Sequence, residues 1–490
     1  MKTLCLKRIL RARTACVVAA ALVVASASAA ELWIGAATTS ITPDKPVALD
    51  GHRGLRISTK VESPITATML ALESRDGDKV LDQAVIVSCD IVAIREGIQE
   101  KVREKVKPRL PDLDISKLFL NATHTHNAPV TVEGRYTLPD NGIMRPAEYA
   151  EFMTSRVADA VVESWHKRRV GKVAWAQSQA VVAQNRRATY ADGTARMYGA
   201  TNTANFRGLE GCEDHNLDVL CFWNRQKKLI ATAINVPCPA QEAEGGLLLH
   251  ADFWHPVREM LHKRHGKDLL VLGWAGAGGD QTSHLMYGKA ADERMRKLRG
   301  LTRREEVARR IVAGWEDAYE YARKDIRNDA VLCHCVKEIE LPHRKVTESE
   351  VAEARKEAAR FAGDPAQRWN YRWHQGVVER YEAQHAGTEG PHKMELHVVR
   401  LGDVAIATNE FELFTDYGVQ MKARSPAVQT FVIQLAAGSY GYLPTERAVR
   451  GGHYSAVIQS SRVGPDGGQE LVERTVEVIN ELWKPVTKQP

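Results

Sequence analysis

The sequence predicts an α/β protein of layered mixed sheets with flanking helices. Three observations carry that expectation. Apolar, β-branched runs alternate with amphipathic stretches of helical spacing. Several of the strand-like runs empty directly into polar or Gly-rich loops. No internal repeat, low-complexity segment or linker divides the chain, so its 490 residues read as one large body with insertions.

The elements follow in order. Residues 1–30 read as a secretory signal, with a basic start, an apolar stretch from Ala15 to Val24 and small residues from Ala25 to Ala30. That stretch is too short for a membrane span, and no later segment reaches spanning length. Trp33 to Ala37, Ala67 to Glu73 and Ala84 to Cys89 are strand-like, the last two split by the Arg75-Asp76-Gly77-Asp78 turn. Ile94 to Val106 has helical spacing and ends before Pro108 and Pro111. Ala147 to His166 is a second helix, and Val173 to Val236 is mainly β, with turns at Asp192-Gly193 and Arg225-Gln226. Helix from Asp252 to His265, strand from Leu269 to Trp274 and a long charged helix from Arg303 to Lys324 come next. Residues 346–387 are rich in Glu, Arg, Lys, Ala and His and read as a helical insertion. Strand returns from Met394 to Asn409 with a turn at Gly402-Asp403, and a helix from Gly468 to Trp483 closes the chain. The expected division is a signal over 1–30 and one domain over 31–490 that contains the 346–387 insertion.

The net charge of +6 argues for no nucleic-acid or membrane partner. Lys2, Lys7, Arg8, Arg11 and Arg13 lie in the signal, which has no acid, so the mature body is nearly neutral. Export to the periplasm or the medium is expected. Six cysteines remain beyond the signal, too few to be the main source of stability; Cys212 and Cys221 are the easiest pair to bridge. Cys333-His334-Cys335 lies on an apparent strand with no second Cys pair, and its structural reading outweighs a metal site.

The chemistry concentrates at His124-Thr125-His126, directly after the apolar run Leu118-Phe119-Leu120. Two imidazoles at a strand end can converge on a metal or an acyl-transfer centre, though loop histidines that merely hydrogen-bond are as common. Three other segments share that placement: Ile234 to Gln241 with His250 to His255, Gly273 to His284, and Asn409 to Glu412 with Gly438 to Thr445. Glycines in the second allow close backbone approach to a ligand.

In that order the motifs resemble the catalytic domain of the neutral/alkaline (non-lysosomal) ceramidase family. Ile41-Thr42-Pro43 looks like the family's opening turn, and Thr123 to Pro129 looks like its Thr-His-Thr-His-Ser-Gly-Pro loop. Asn185-Arg186-Arg187 echoes Asn-Arg-Ser, and Gly279 to His284 echoes Gly-Asp-Val-Ser-Pro-Asn. Leu401-Gly402-Asp403, Glu412 to Thr415 and Tyr440 to Thr445 resemble the closing motifs. The likeness runs from about residue 32 to 483, and it implies a ceramidase-like hydrolase domain over 31–490 without the family's additional C-terminal immunoglobulin-like domain.

The resemblance implies a zinc-dependent hydrolase that cleaves an amide (or ester) in a lipid or amino-sugar substrate by metal-activated water. Carried over by position, the zinc ligands are His124, Glu412 and either Tyr442 or Tyr440. The family's second ligand histidine is replaced by Cys238. That leaves three alternatives: Cys238 as thiolate, a ligand from His250, Asp252 or His255, or no zinc. His126 is the implied acid or base. Thr282 stands where the family has Ser, with Ser283 beside it and Asp280 in the same loop; Thr282 and the Gly278–Gly279 backbone are expected to hold the oxyanion. Arg186 is implied in substrate contact, against a salt bridge as its plain alternative. Trp254, Trp369, Tyr371 and Trp373 keep a carbohydrate substrate open, and loss of the second His keeps a catalytically silent binding protein open.

Overall fold

The computed structural model describes residues 30–484; residues 1–29, nearly all of the expected signal, and the last six residues lie outside them. An eight-stranded sheet forms the larger half. Its spatial order is Leu270–Ala275, Leu229–Val236, Asn216–Asn224, Arg169–Gln179, Glu31–Ser40, Thr66–Asp76, Lys79–Cys89 and Leu118–Ala122. Pairing is antiparallel through the middle and parallel at both ends, where Leu118–Ala122 joins Lys79–Cys89 and Leu270–Ala275 joins Leu229–Val236. A four-stranded sheet orders Leu332–Leu341, His392–Leu401, Val404–Thr408 and Gln429–Ile433.

Strand periodicity explains the layering. On Thr66–Asp76 and Lys79–Cys89, Leu70, Leu72, Ala84 and Ile86 face Val399, Leu401, Ile406 and Phe431 of the second sheet. Their neighbours Met69, Ala71, Val85 and Val87 turn the other way, onto the helices Ile98–Val106 and Pro146–His166. Helices Trp254–His265 and Arg303–Ala322 cover the opposite end of the large sheet, and Thr415–Arg424 and Pro465–Trp483 cover the small one. The result is helix, sheet, sheet, helix, as the predicted class requires.

Most predicted elements stand within a few residues of their expected ends. The closing helix begins at Pro465, a residue preorganised for a first helical turn. The insertion is a pair of helices, Glu348–Phe361 and Arg368–His385; a reciprocal Thr347–Glu350 capping box opens the first. Lys289–Arg299 went unpredicted because it buries no residue and so shows no apolar stripe. The expected Cys212–Cys221 bridge is overturned: all six described cysteines are free. Cys221 is buried on an inner strand beside Thr232, whereas Cys212 is exposed beside Asp416. No helix among the described residues is long and apolar enough to cross a membrane.

Candidate active site

The strand Leu118–Ala122 runs at the large sheet's edge, and its continuation carries the two histidines over the sheet end. Thr123 and His124 remain tied to the neighbouring strand's exit, their N–H groups donating to Cys89 and Ile91 carbonyls. Thr125 turns away to donate to the His250 carbonyl at 2.9 Å. His124 and His126, two residues apart, therefore face the same cavity, with ring centroids 5.0 Å apart. His124 holds φ at +68°, a strained value for a non-glycine residue and one that clusters at functional sites.

The cavity encloses about 300 Å³ and is lined by His124, His126, Arg186, Gln241, Glu412 and Tyr442 among others. His124 is 3% exposed. Its Nδ1 is fixed by the Val92 carbonyl at 2.6 Å, which turns Nε2 inward, buried and without a hydrogen-bond partner. Glu412 Oε2 lies 3.4 Å from that nitrogen. Glu412 and Tyr442 are direct partners in a two-residue parallel ladder, so one register sets both side chains against His124. The Arg186 guanidinium closes this group, 3.3 Å from the Tyr442 hydroxyl and 3.9 Å from Glu412. Burial works to raise the Glu412 pKa; His124, Arg186 and the Tyr442 hydroxyl outweigh it and hold the carboxylate at about 2.

His126 belongs to a second group. Its Nδ1 lies 2.9 Å from Glu244 Oε2, and its Nε2 meets the Gln241 side-chain amide at 2.7 Å. His52, His126 and Glu244 offer ligand atoms within 4.8 Å of one another, a possible metal-holding set. Burial, reinforced by His124 and opposed by Glu244, pushes His126 down to about 4, so the ring is neutral at pH 7. Glu244 is held at about 2, because His126, His284 and Arg186 outweigh its burial. The loop carrying His52 packs close: at Gly51, with φ +94°, a Cβ would stand 2.4 Å from the His126 ring.

The remaining candidates divide plainly. Tyr442 faces the cavity, whereas Tyr440 stacks on His392 and bonds to His343. Cys238 is not brought to the ligand group. Its thiol lies in an apolar cluster, 3.8 and 3.6 Å from the Val182 and Pro239 carbonyls, and burial raises its pKa well above the thiol range. His250 and Asp252 are also elsewhere: Asp252 accepts from the Ala243 and Phe253 N–H groups, and the His250 Nδ1 from that of Asp252. His255 sits half-buried at the start of Trp254–His265, outside the cavity lining.

The expected oxyanion backbone is corrected too. The Gly279 N–H donates to Leu413 and the Gly278 N–H to Gln434, so neither is free for a ligand. Asp280 anchors the loop through Asn185 and Thr415. Thr282 lies behind Tyr198, whose hydroxyl reaches it at 3.4 Å, and Ser283 is buried outside the cavity. Trp254 is fully buried and offers no sugar-stacking face. Sequence reasoning missed His52, Glu244, Gln241 as a contact, Tyr198 and Tyr454. Glu244 had a signal, since it follows Gln241 in the polar run that leaves a strand; His52 had none.

No family model and no curated protein matches the sequence. Among solved structures, the chain is similar to neutral ceramidase from Pseudomonas aeruginosa, with a TM-score of 0.65 and 13% identity over 94% of this chain and 76% of that one. It is also similar to a ceramidase complexed with C2, with a TM-score of 0.66 and 13% identity over 94% of this chain and 77% of that one. The chain therefore has the neutral ceramidase fold. At that identity the likeness speaks for the fold alone.

Proposed function

We propose that this protein is an exported, metal-dependent hydrolase that cleaves an amide (or ester) bond in a lipid or amino-sugar substrate. One observation carries the reading most: a buried, unpartnered His124 Nε2 aimed at Glu412 beside Tyr442, in a cavity that also holds the His126–Glu244 pair.

The residues present fit a zinc ion. Imidazole, carboxylate and phenol are hard-to-borderline donors, and three protein ligands leave the open position that a catalytic site needs. The unpartnered His124 Nε2 and the Glu412 carboxylate oxygen, 3.4 Å apart, would both reach one ion placed between them. The Val92 carbonyl on His124 Nδ1 is the outer-shell partner that fixes a ligating ring. Cys238 is not needed for this set. When bound, the ion supplies Lewis acidity, polarising the carbonyl and making water a better nucleophile.

The chain's own groups do the rest. His126 keeps its Nδ1 proton on Glu244 and takes the water proton at Nε2, where the water replaces the Gln241 side-chain amide, and Glu244 stabilises the imidazolium that forms. The ring then returns the proton to the leaving amine or alkoxide. Arg186, fixed by the Gly279 carbonyl at 2.7 Å, brings positive charge to the tetrahedral oxyanion. Tyr198 lines the approach, and Thr282 positions its hydroxyl.

Metal analysis and turnover test this together. Zinc-loaded protein is expected to hold at least one ion per chain and to release fatty acid from short fluorescent ceramides or acetate from N-acetylated sugars. Well under one zinc per chain after loading overturns the metallohydrolase reading. Turnover of glycosides alone moves the substrate to carbohydrate, and metal without any turnover favours a silent binding protein.

A further inference from the structure

Four arginines line the cavity, Arg53, Arg95, Arg135 and Arg186. Three are engaged with the protein. Asp50 takes Arg95 at 2.9 Å and Arg135 at 2.5 Å, and Arg186 lies against Gly279, Tyr442 and Glu412. Arg53 differs. It is exposed and has no ion pair or hydrogen bond among the described residues.

Arg53 is nevertheless held. Its guanidinium lies 4.9 Å from the Trp369 ring, 4.5 Å from Trp373 and 4.7 Å from Tyr454. Trp369 and Trp373, one turn apart on Arg368–His385, stack on each other at 5.5 Å. That helix is pinned to the cavity wall through Arg368 and Arg372, which donate to the Gly134 carbonyl beside Arg135. The helical insertion thus builds an aromatic seat for one cation at the cavity mouth. The Arg53 N–H groups take no partner among the described residues, and a guanidinium's N–H edge matches a carboxylate, sulfonate or phosphate with two parallel hydrogen bonds.

We propose that Arg53 is a specificity-determining residue, and that the substrate carries an anionic group which this guanidinium binds while the scissile bond lies deeper in the cavity. The inference rests on the hydrolase reading for the scissile bond, and on the Arg53 seat alone for the anion. It separates the substrate class from a neutral ceramide. It also gives Trp369 and Trp373 a role other than sugar stacking, since their faces are taken by each other and by Arg53.

The experiment compares three probes of equal acyl length on the metal-loaded full chain: N-octanoylglycine, N-octanoyltaurine and N-octanoylethanolamine. Binding is read by calorimetry or tryptophan fluorescence, and turnover is read separately. At low salt both anionic probes are expected to bind about tenfold tighter than the neutral one, with the advantage shrinking at high ionic strength. Glycine against taurine conjugate tells a planar from a tetrahedral anion preference. In Arg53→Ala the ratio should fall to about one, and in Arg53→Glu it should invert; Arg53 is exposed, so both variants are expected to fold, which circular dichroism checks. Equal affinity for all three probes, no binding of any, or an anion preference that survives Arg53→Glu overturns the proposal. Anion-selective binding without hydrolysis would count against the hydrolase reading and leave the anion site standing.

Discussion

The cavity has two walls built in different ways, and the HxH loop contributes one histidine to each. The inner wall, His124 with Glu412 and Tyr442, hangs on regular structure. A strand end and a two-residue parallel ladder set the donors, and a backbone carbonyl fixes the imidazole. The outer wall, His126 with His52 and Glu244, is assembled from loops. It depends on a glycine with φ +94° to let one loop touch the His126 ring, and Gln241 holds that ring's far nitrogen. Backbone-set donors stay in place without a ligand, as metal ligation requires. A loop-set imidazole beside a carboxylate can shift by the small amounts that proton transfer needs. On the proposed reading, the inner wall would hold the metal and the outer one would move the proton.

The largest expected effect tests that division directly. His124→Ala and Glu412→Gln should each abolish metal retention and reduce hydrolysis to background, whereas His52→Ala should keep its metal. Inductively coupled plasma analysis after zinc loading and desalting reads the content. The opposite pattern, metal kept in His124→Ala and lost in His52→Ala, would move the ion to the His52–His126–Glu244 set and reverse the roles of the two walls.

The same division explains what could be read from the sequence. The layered sheets and the helical insertion follow from patterns along short stretches, strand alternation and composition, whereas the inner wall's residues came through the resemblance to the ceramidase family's motifs. His124, Glu412 and the choice between Tyr442 and Tyr440 were legible to that extent, and the ladder register decides for Tyr442 because it pairs with Glu412. The outer wall was legible only as His126. His52 follows a turn with no periodicity, and its meeting with Glu244 depends on two loops nearly two hundred residues apart in the chain. The Gly278–Gly279 expectation failed for a related reason. Glycines permit a free N–H, but the Leu413 carbonyl and the Gln434 side chain, both distant in sequence, had already claimed these two.

A middle-sized effect belongs to the outer wall. Glu244→Gln should lower kcat by about 10–100-fold, the usual consequence of removing a carboxylate that orients a working imidazole. The sign of the pH effect also follows. Glu244 raises the His126 pKa against burial and the neighbouring His124, so its loss should move that pKa below its present value of about 4. A base must be deprotonated to act, so the acid limb of the kcat/KM profile should shift to lower pH. A limb that stays in place, or moves up, would mean that His126 is not the titrating base.

The smallest effect is expected from Cys238→Ser, and its smallness is informative. If the family's ligand position had simply changed from imidazole to thiolate, this substitution would remove a donor and the metal with it. Here the thiol is 1% exposed, sits among apolar side chains and points at the Val182 and Pro239 carbonyls instead of the inner wall. Burial also disfavours the thiolate that a ligand would have to be. A serine hydroxyl can donate to the same carbonyls, so the cost should be about 1 kcal/mol, the scale of exchanging one buried weak donor for another. Zinc content should be unchanged and thermal unfolding only slightly earlier. Loss of zinc in this variant, with the fold intact, would mean that the inner wall recruits the thiol on loading, and that backbone-set donors alone do not define it.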